Sequence, residues 1–180
     1  MRIWTDGSCL KNPGPGGWGW VRCDGVEEYG GDHETTNNRM EMTAILKALS
    51  KLPDGQIVTV YSDSQYCVKG LTSWSNGWRK KNWMKNGSPM INRDLWMDID
   101  LHVSRVNARF EWVKGHNGNA MNEKADQLAT LGRNSLPTKI ASCSVANDRS
   151  LMEREIINAI NDSKRRIDHL ESLVKQYFRG

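Results

Sequence analysis

Gln56-Ile57-Val58-Thr59-Val60-Tyr61-Ser62-Asp63-Ser64 is the segment from which the architecture can be read. Its β-branched run predicts a strand over 56–61. A helix is expected before it, over 38–52, with Met42, Ile45, Leu46 and Leu49 at helical spacing and Pro53 past its end. A short helix over 64–71 is expected after it. A strand flanked by helices on both sides joins its sheet by crossovers, and so runs parallel to a neighbour.

Upstream, Arg2 to Cys9 reads as a strand and Trp18 to Cys23 as a second, after the turn-rich Asn12-Pro13-Gly14-Pro15-Gly16-Gly17. A third, from Val26 to Tyr29 or a little beyond, follows the hairpin signal Asp24-Gly25. Downstream come a helix over about 93–103, a strand over 108–113 and a helix over 120–131, the last with Met121, Ala125, Leu128 and Ala129 on one face. Three consecutive strands followed by alternating units predict an α/β fold: a mixed sheet, first antiparallel and then parallel, flanked by helices. After Arg133 the texture changes. Residues 135–150 read as a polar linker and 151–180 as a further helix, which leaves 1–134 as the principal domain.

The chain has 180 residues, 38% hydrophobic and 26% charged, which fits one soluble domain with an appendage. No apolar run approaches the roughly 18 residues of a membrane span. The first residues lack a leader pattern, so a cytoplasmic protein without a membrane partner is expected. Cys9, Cys23, Cys67 and Cys143 have neither CxxC nor zinc-ligand spacing and are expected as free thiols. Net charge is only +4. Its distribution says more: no acid lies between Gly70 and Arg93, and that stretch holds Arg79, Lys80, Lys81 and Lys85 interleaved with Trp74, Trp78 and Trp83.

Four acids stand at the ends of predicted elements. Each has an ordinary explanation: Asp6-Gly7 as a turn, Glu41 as a capping-box residue three after Asn38, Asp63 as a helix N-cap, Asp126 as a solvated helix residue. Strand-to-helix junctions nevertheless converge at one edge of such a sheet, the usual place for a site. Four carboxylates there would repel one another unless cations neutralised them. Hard oxygen ligands suit Mg²⁺ or Mn²⁺, and two ions roughly 3.5–4 Å apart form a phosphoryl-transfer site. His116, between Gly115 and Gly118, reads as a residue of a mobile exposed loop able to carry protons.

Six ordered motifs then carry a resemblance. Thr5-Asp6-Gly7-Ser8-Cys9, Asn12 to Gly17, Thr35 to Glu41, Thr59 to Tyr66, Trp112 to His116 and Asn122 to Asp126 resemble bacterial-type ribonuclease HI from residue 1 to about 134. The resemblance implies a ribonuclease H-like five-stranded mixed sheet and endonucleolytic hydrolysis of the RNA strand of RNA–DNA hybrids, without sequence preference. It implies two Mg²⁺ per site, with Mn²⁺ a possible substitute, held by Asp6, Glu41, Asp63 and Asp126. Products would carry 5′-phosphate and 3′-hydroxyl ends. His116 matches the family's loop histidine, implied in proton transfer or product release.

The resemblance also implies RNA-strand contacts at Cys9, Asn12, Asn37, Asn38 and Gln65, where amides meet 2′-hydroxyls in the minor groove. Thr36 and Asn37 match a pocket for a DNA-strand phosphate. Trp74, Trp78, Arg79, Lys80, Lys81, Trp83, Lys85, Asn92 and Trp96 match the basic handle and its surroundings, implied to hold the DNA strand. The tryptophans read equally as packing between short helices. In the tail, Ile156, Ile160, Ile167, Leu170, Val174 and Tyr177 follow 4-3 spacing. Docking on the core or a protein partner, self-association and nucleic-acid contact through Lys164-Arg165-Arg166 all stay open. Two rivals remain beside the nuclease: a catalytically silent hybrid binder, and another nuclease of the same broad fold. A purely structural role is the weakest reading.

Overall fold

The computed structural model describes residues Met1–Pro137. Most of the expected linker and all of the expected terminal helix lie outside the described residues. Strands β1 (Arg2–Cys9), β2 (Gly14–Arg22) and β3 (Glu27–Thr35) come first, then helix α1 (Asn37–Ser50) and strand β4 (Ile57–Ser62). Helix α2 (Gln65–Lys69) runs through a π-helical turn at Gly70–Trp74 into α3 (Ser75–Lys80). A two-residue pairing, β5 (Met84–Lys85) with β6 (Ser88–Pro89), leads to α4 (Arg93–Arg105), β7 (Asn107–Trp112) and α5 (Ala120–Asn134).

The main sheet has five strands in the order β3-β2-β1-β4-β7. β1 pairs antiparallel with β2 and β2 with β3; β4 is parallel to both β1 and β7. This is the mixed sheet expected from the strand order. β2 and β3 are longer than their hydrophobic patterns suggest, because pairing through Gly14, Gly16, Gly17 and Gly19 needs no apolar side chain.

Alternation along the strands sends side chains to two layers. Ile3, Val58 and Val60 join Met42, Ile45 and Leu49 of α1 and Trp96 and Ile99 of α4 in the larger core. Trp4 and Val21 meet Ala125 and Leu128 of α5 on the other side. Each fully buried aliphatic side chain contributes about 1.5–3 kcal/mol, so these two layers fix the sheet between its helices. Arg105 ties α4 to the end of α1, donating to the carbonyls of Leu49 and Leu52 and pairing with Asp54.

Three local expectations are corrected. Thr36, not Asn38, is the N-cap of α1: its hydroxyl accepts from Arg39 N–H at 3.4 Å, so Glu41 lies beyond any capping box. Ser64, not Asp63, caps α2 by accepting from Cys67 N–H at 3.3 Å. Asp6-Gly7 is not a turn, for both residues pair within the sheet, opposite Gly19 and Trp18.

Candidate active site

Strand β1 carries Asp6 in mid-sheet, buried to 6% exposure. Gly7 lies so close to the first turn of α1 that a Cβ there would sit 2.2 Å from Glu41 N. The bare glycine therefore lets α1 lie against the strand and set Glu41, 5% exposed, beside Asp6. Asp63 follows directly on β4, which is parallel to β1 with Thr5 opposite Ser62. One oxygen from each of Asp6, Glu41 and Asp63 falls within 4.8 Å of the other two.

The fourth acid stands apart. Asp126, half-buried on α5, is near enough for its charge to raise Asp6 but lies outside that three-oxygen cluster.

Such crowding is costly without a cation. Burial first, then the charge of Asp63, pushes the Asp6 carboxyl up to about 8. Burial, then the charges of Asp6 and Asp63, holds Glu41 well above the usual carboxylate range. Glu41 Oε2 is buried with no hydrogen-bond partner among the described residues. A buried acceptor without a donor, beside two more carboxylates, fits a hard divalent cation: all three groups are acceptors when ionised, and a cation satisfies them together.

His116 is exposed, with φ 50°, in the loop between β7 and α5. Its neighbour Gly115 is not the flexible spacer that the glycine spacing suggested. The Gly115 α-carbon abuts the Asp63 carboxylate. Asn119 closes the loop by capping α5, accepting from the N–H groups of Met121 and Asn122 at 3.2 Å.

The expected nucleic-acid positions divide into exposed and committed groups. Asn12, Asn38 and Gln65 are exposed, and Asn37 is half-buried. Asn12 Oδ1 accepts from Asn37 N–H at 3.2 Å, and Gln65 Oε1 from Lys69 Nζ at 3.0 Å. The Cys9 thiol donates to Lys11 carbonyl at 2.7 Å, and Cys9, Cys23 and Cys67 are free, as expected. Thr36 spends its hydroxyl on the α1 cap.

In the handle, Lys80, Lys81 and Lys85 are exposed and unpaired among the described residues. Arg79 is held by Asp100 of α4, and only Trp74, at 41% exposure, lies open. Trp83 and Trp96 are 6% and 0% exposed. The expectation that they touch a DNA strand is corrected: their rings are committed to the core. Trp96 Nε1 and Asn92 Nδ2 both donate to the Tyr66 hydroxyl, at 3.1 and 3.4 Å. Asn92, half-buried and left-handed at φ 59°, occupies the N-cap position of α4. Trp74, Trp78, Lys81 and Lys85 line a groove of about 480 Å³ shared with Asn38 and Tyr66.

Sequence reasoning did not single out Arg39, which pairs with Asp94 at 2.7 Å and so couples α1 to α4. Nor did it give a role to Trp112, quoted only as the start of a motif, whose indole N–H donates to Asp63 carbonyl at 3.0 Å. Both pairings go unread because each partner is distant in sequence.

The RNase H family model matches residues 1–134. The chain belongs to the ribonuclease H family. A ribonuclease H from Hahella chejuensis (strain KCTC 2396) is 48% identical over 136 residues, covering 73% of this chain and 92% of that protein. One from Gluconobacter oxydans (strain 621H) is 49% identical over 140 residues, covering 76% and 93%. Among solved structures, LC9-RNase H1, a type 1 RNase H with the type 2 active-site motif, superimposes with a TM-score of 0.65 at 29% identity, covering 74% of this chain and 71% of that one. A foamy viral protease-reverse transcriptase, solved in complex with RNA/DNA hybrid, shares the fold with a TM-score of 0.64 at 19% identity over 73% of this chain and 20% of that one. No helix of the described residues is long and apolar enough to cross a membrane.

Proposed function

We propose that this ribonuclease H hydrolyses the RNA strand of RNA–DNA hybrids, endonucleolytically and without sequence preference, leaving 5′-phosphate and 3′-hydroxyl ends. The observation that carries the reading is the meeting of Asp6, Glu41 and Asp63 oxygens within 4.8 Å in a chain of this family. These three would hold divalent cations, proposed as two Mg²⁺ with Mn²⁺ a substitute, and Asp126 would complete the set from α5. Bound there, the ions would activate a water and stabilise the leaving 3′-oxygen.

The protein's own groups do the rest. Asp6 and Glu41, fixed on a strand and a helix, need no reorganisation to receive charge. His116, exposed on its loop, can take or give a proton at the cut phosphate, or help products leave. Asn12, Asn37, Asn38 and Gln65 offer amides to 2′-hydroxyls, which distinguish RNA from DNA, and Cys9 lies among them. Thr36 and Asn37 present the start of α1 to a DNA phosphate. Lys80, Lys81 and Lys85 add sequence-independent attraction to that strand, with Trp74 at the edge of the groove. Cytoplasmic action is proposed with this reading, in keeping with the free thiols of Cys9, Cys23 and Cys67.

The test is a strand-labelled cleavage assay on RNA–DNA hybrid, double-stranded RNA, double-stranded DNA and single-stranded RNA, with Mg²⁺ or with EDTA. Cutting confined to the RNA of the hybrid and stopped by EDTA is expected. Binding without cutting would make the chain a recognition module, and equal cutting of duplex DNA would make it a different nuclease.

A further inference from the structure

The ends of β7 and β4 meet at several points. Ser62 pairs with Trp112 across the parallel ladder, and Val113 N–H donates to Ser62 carbonyl at 3.1 Å. The Trp112 indole N–H donates to the next carbonyl, that of Asp63, at 3.0 Å. On the far side, the Ser62 hydroxyl accepts from Ser64 N–H at 3.1 Å, and Ser64 caps α2. The Asp63 backbone is thus held from both directions, while its side-chain torsions remain to be chosen among staggered wells.

Gly115 makes that choice. A Cβ on Gly115 would lie 2.5 Å from Asp63 Oδ2 and 3.3 Å from its Cγ. The φ of Gly115 is not positive, unlike that of Gly118, so the requirement here is for space and not for backbone freedom. The atom such a Cβ would strike is the end of a side chain. An added methyl would therefore turn the carboxylate rather than break the fold.

We propose that Gly115 is a positioning residue for Asp63: its missing Cβ leaves the room that lets the carboxylate keep the rotamer that meets Asp6 and Glu41. The Trp112 indole is the second part of this clamp, fixing the carbonyl next to the α-carbon that bears the side chain. The inference rests on the cation-binding reading proposed above and adds two residues to it, both acting through Asp63. It also gives the His116 loop a fixed origin, since the residue before His116 is seated on Asp63.

The experiment uses the full chain and Mn²⁺ as the probe, without substrate, following the free-ion signal by electron paramagnetic resonance. Wild type, Gly115→Ala, Trp112→Phe and Gly77→Ala are compared. Gly77→Ala adds a methyl on α3 where nothing lies within 4 Å, and should match wild type. Gly115→Ala is expected to lose roughly 10–100-fold in Mn²⁺ affinity, as supporting residues of metal sites do. Its melting temperature and hybrid affinity in EDTA should stay at wild-type values, and kcat should fall while KM does not. Trp112→Phe keeps the ring but removes the donor, and should lose affinity in the same direction by a smaller factor.

Wild-type Mn²⁺ affinity in Gly115→Ala would overturn the proposal. Should Gly115→Ala fail to fold, undiminished affinity in Trp112→Phe would overturn it instead. If wild type itself takes up no Mn²⁺, the cation reading fails and the clamp's purpose with it, a result visible in the wild-type arm alone.

Discussion

Stripped of divalent cations, this protein should be more stable in mild acid than at neutral pH. Asp6 and Glu41 are 6% and 5% exposed; burial and then the charges of Asp63, at the end of β4, and Asp126, on α5, raise Asp6, while a hydrogen bond with Glu41 on α1 lowers it by less. In the unfolded chain both carboxyls ionise near pH 4. In the folded protein Asp6 keeps its proton up to about 8. Between these limits the folded state binds the extra proton. Stability is therefore fully present below about pH 4 and falls as the pH rises towards 8. Each unit inside the window costs about 1.4 kcal/mol per proton, so a shift from pH 5.5 to 7.5 costs about 2–3 kcal/mol for a single shared proton. For a chain of this size the melting temperature should drop by about 5–10 °C. Asp24 and Asp94, whose carboxyls are held low by Arg22 and Arg39, lose their contribution only in stronger acid and do not blur the window. The assay is thermal unfolding in EDTA at pH 5.5, 6.5 and 7.5. Asp6→Asn should melt higher than wild type at pH 7.5 and show a shallower slope, because the carboxyl that holds the shared proton is gone. A wild-type melting temperature that is flat or rises over this range would refute the reasoning, as would an equal slope in Asp6→Asn.

Asp63→Asn should reduce hybrid cleavage below detection while hybrid affinity in EDTA stays within about twofold, since the amide keeps the shape but loses the charge; retained cleavage would remove Asp63 from the proposed set. Replacing Lys80, Lys81 and Lys85 together by Ala should weaken hybrid binding and flatten its log–log salt dependence by about 0.9 for each phosphate no longer neutralised, measured by anisotropy titrations from low to moderate salt. Trp96→Ala should cost about 3–5 kcal/mol of stability, whereas Trp74→Ala, 41% exposed and packed on the Trp78 ring, should cost about 1 kcal/mol and act on binding as well; denaturant unfolding compares the two.

Much of the fold can be read from periodicity, because burial on two faces leaves a strong local mark. The run from Ile57 to Ser62 and the spacing of Met42, Ile45 and Leu49 point to the parallel strand and its crossover helix. β2 reads shorter than it is because its glycines pair through backbone alone. The acids are legible as a group from their motifs, but the junction argument places only Asp63 at a strand end: Asp6 pairs within β1 and Asp126 lies inside α5. Their ranking is not legible: the separation of Asp126 from the other three depends on how α5 packs. The tryptophans mislead for a similar reason. An indole among lysines has the same local sequence whether it faces solvent or the core, and only the Tyr66 hydroxyl shows that Trp96 points inward. Gly115 carries a signal that is easily misread, because a glycine needed for clearance looks in sequence like one needed for flexibility.

The handle's aromatic contacts bear on selectivity. Trp74 meets Trp78 at 5.6 Å, Trp78 meets Trp83 at 6.2 Å and Trp96 at 5.0 Å, and Trp96 meets Tyr66 at 5.3 Å. This chain of rings runs from the turn before α3 to α2, which begins two residues after Asp63. Lys80, Lys81 and Lys85 are thus mounted on a stiff arm and not on a tether. The backbone entropy of placing them was lost during folding, so under the proposed reading a bound strand bears only the ordering of their side chains. A stiff arm also keeps a set distance from the carboxylates, like the jaw of a caliper. Under the proposed hybrid-binding reading, duplexes whose two backbones are spaced differently would leave either the lysines or the acids without a phosphate, a discrimination by width made before any base or sugar is read.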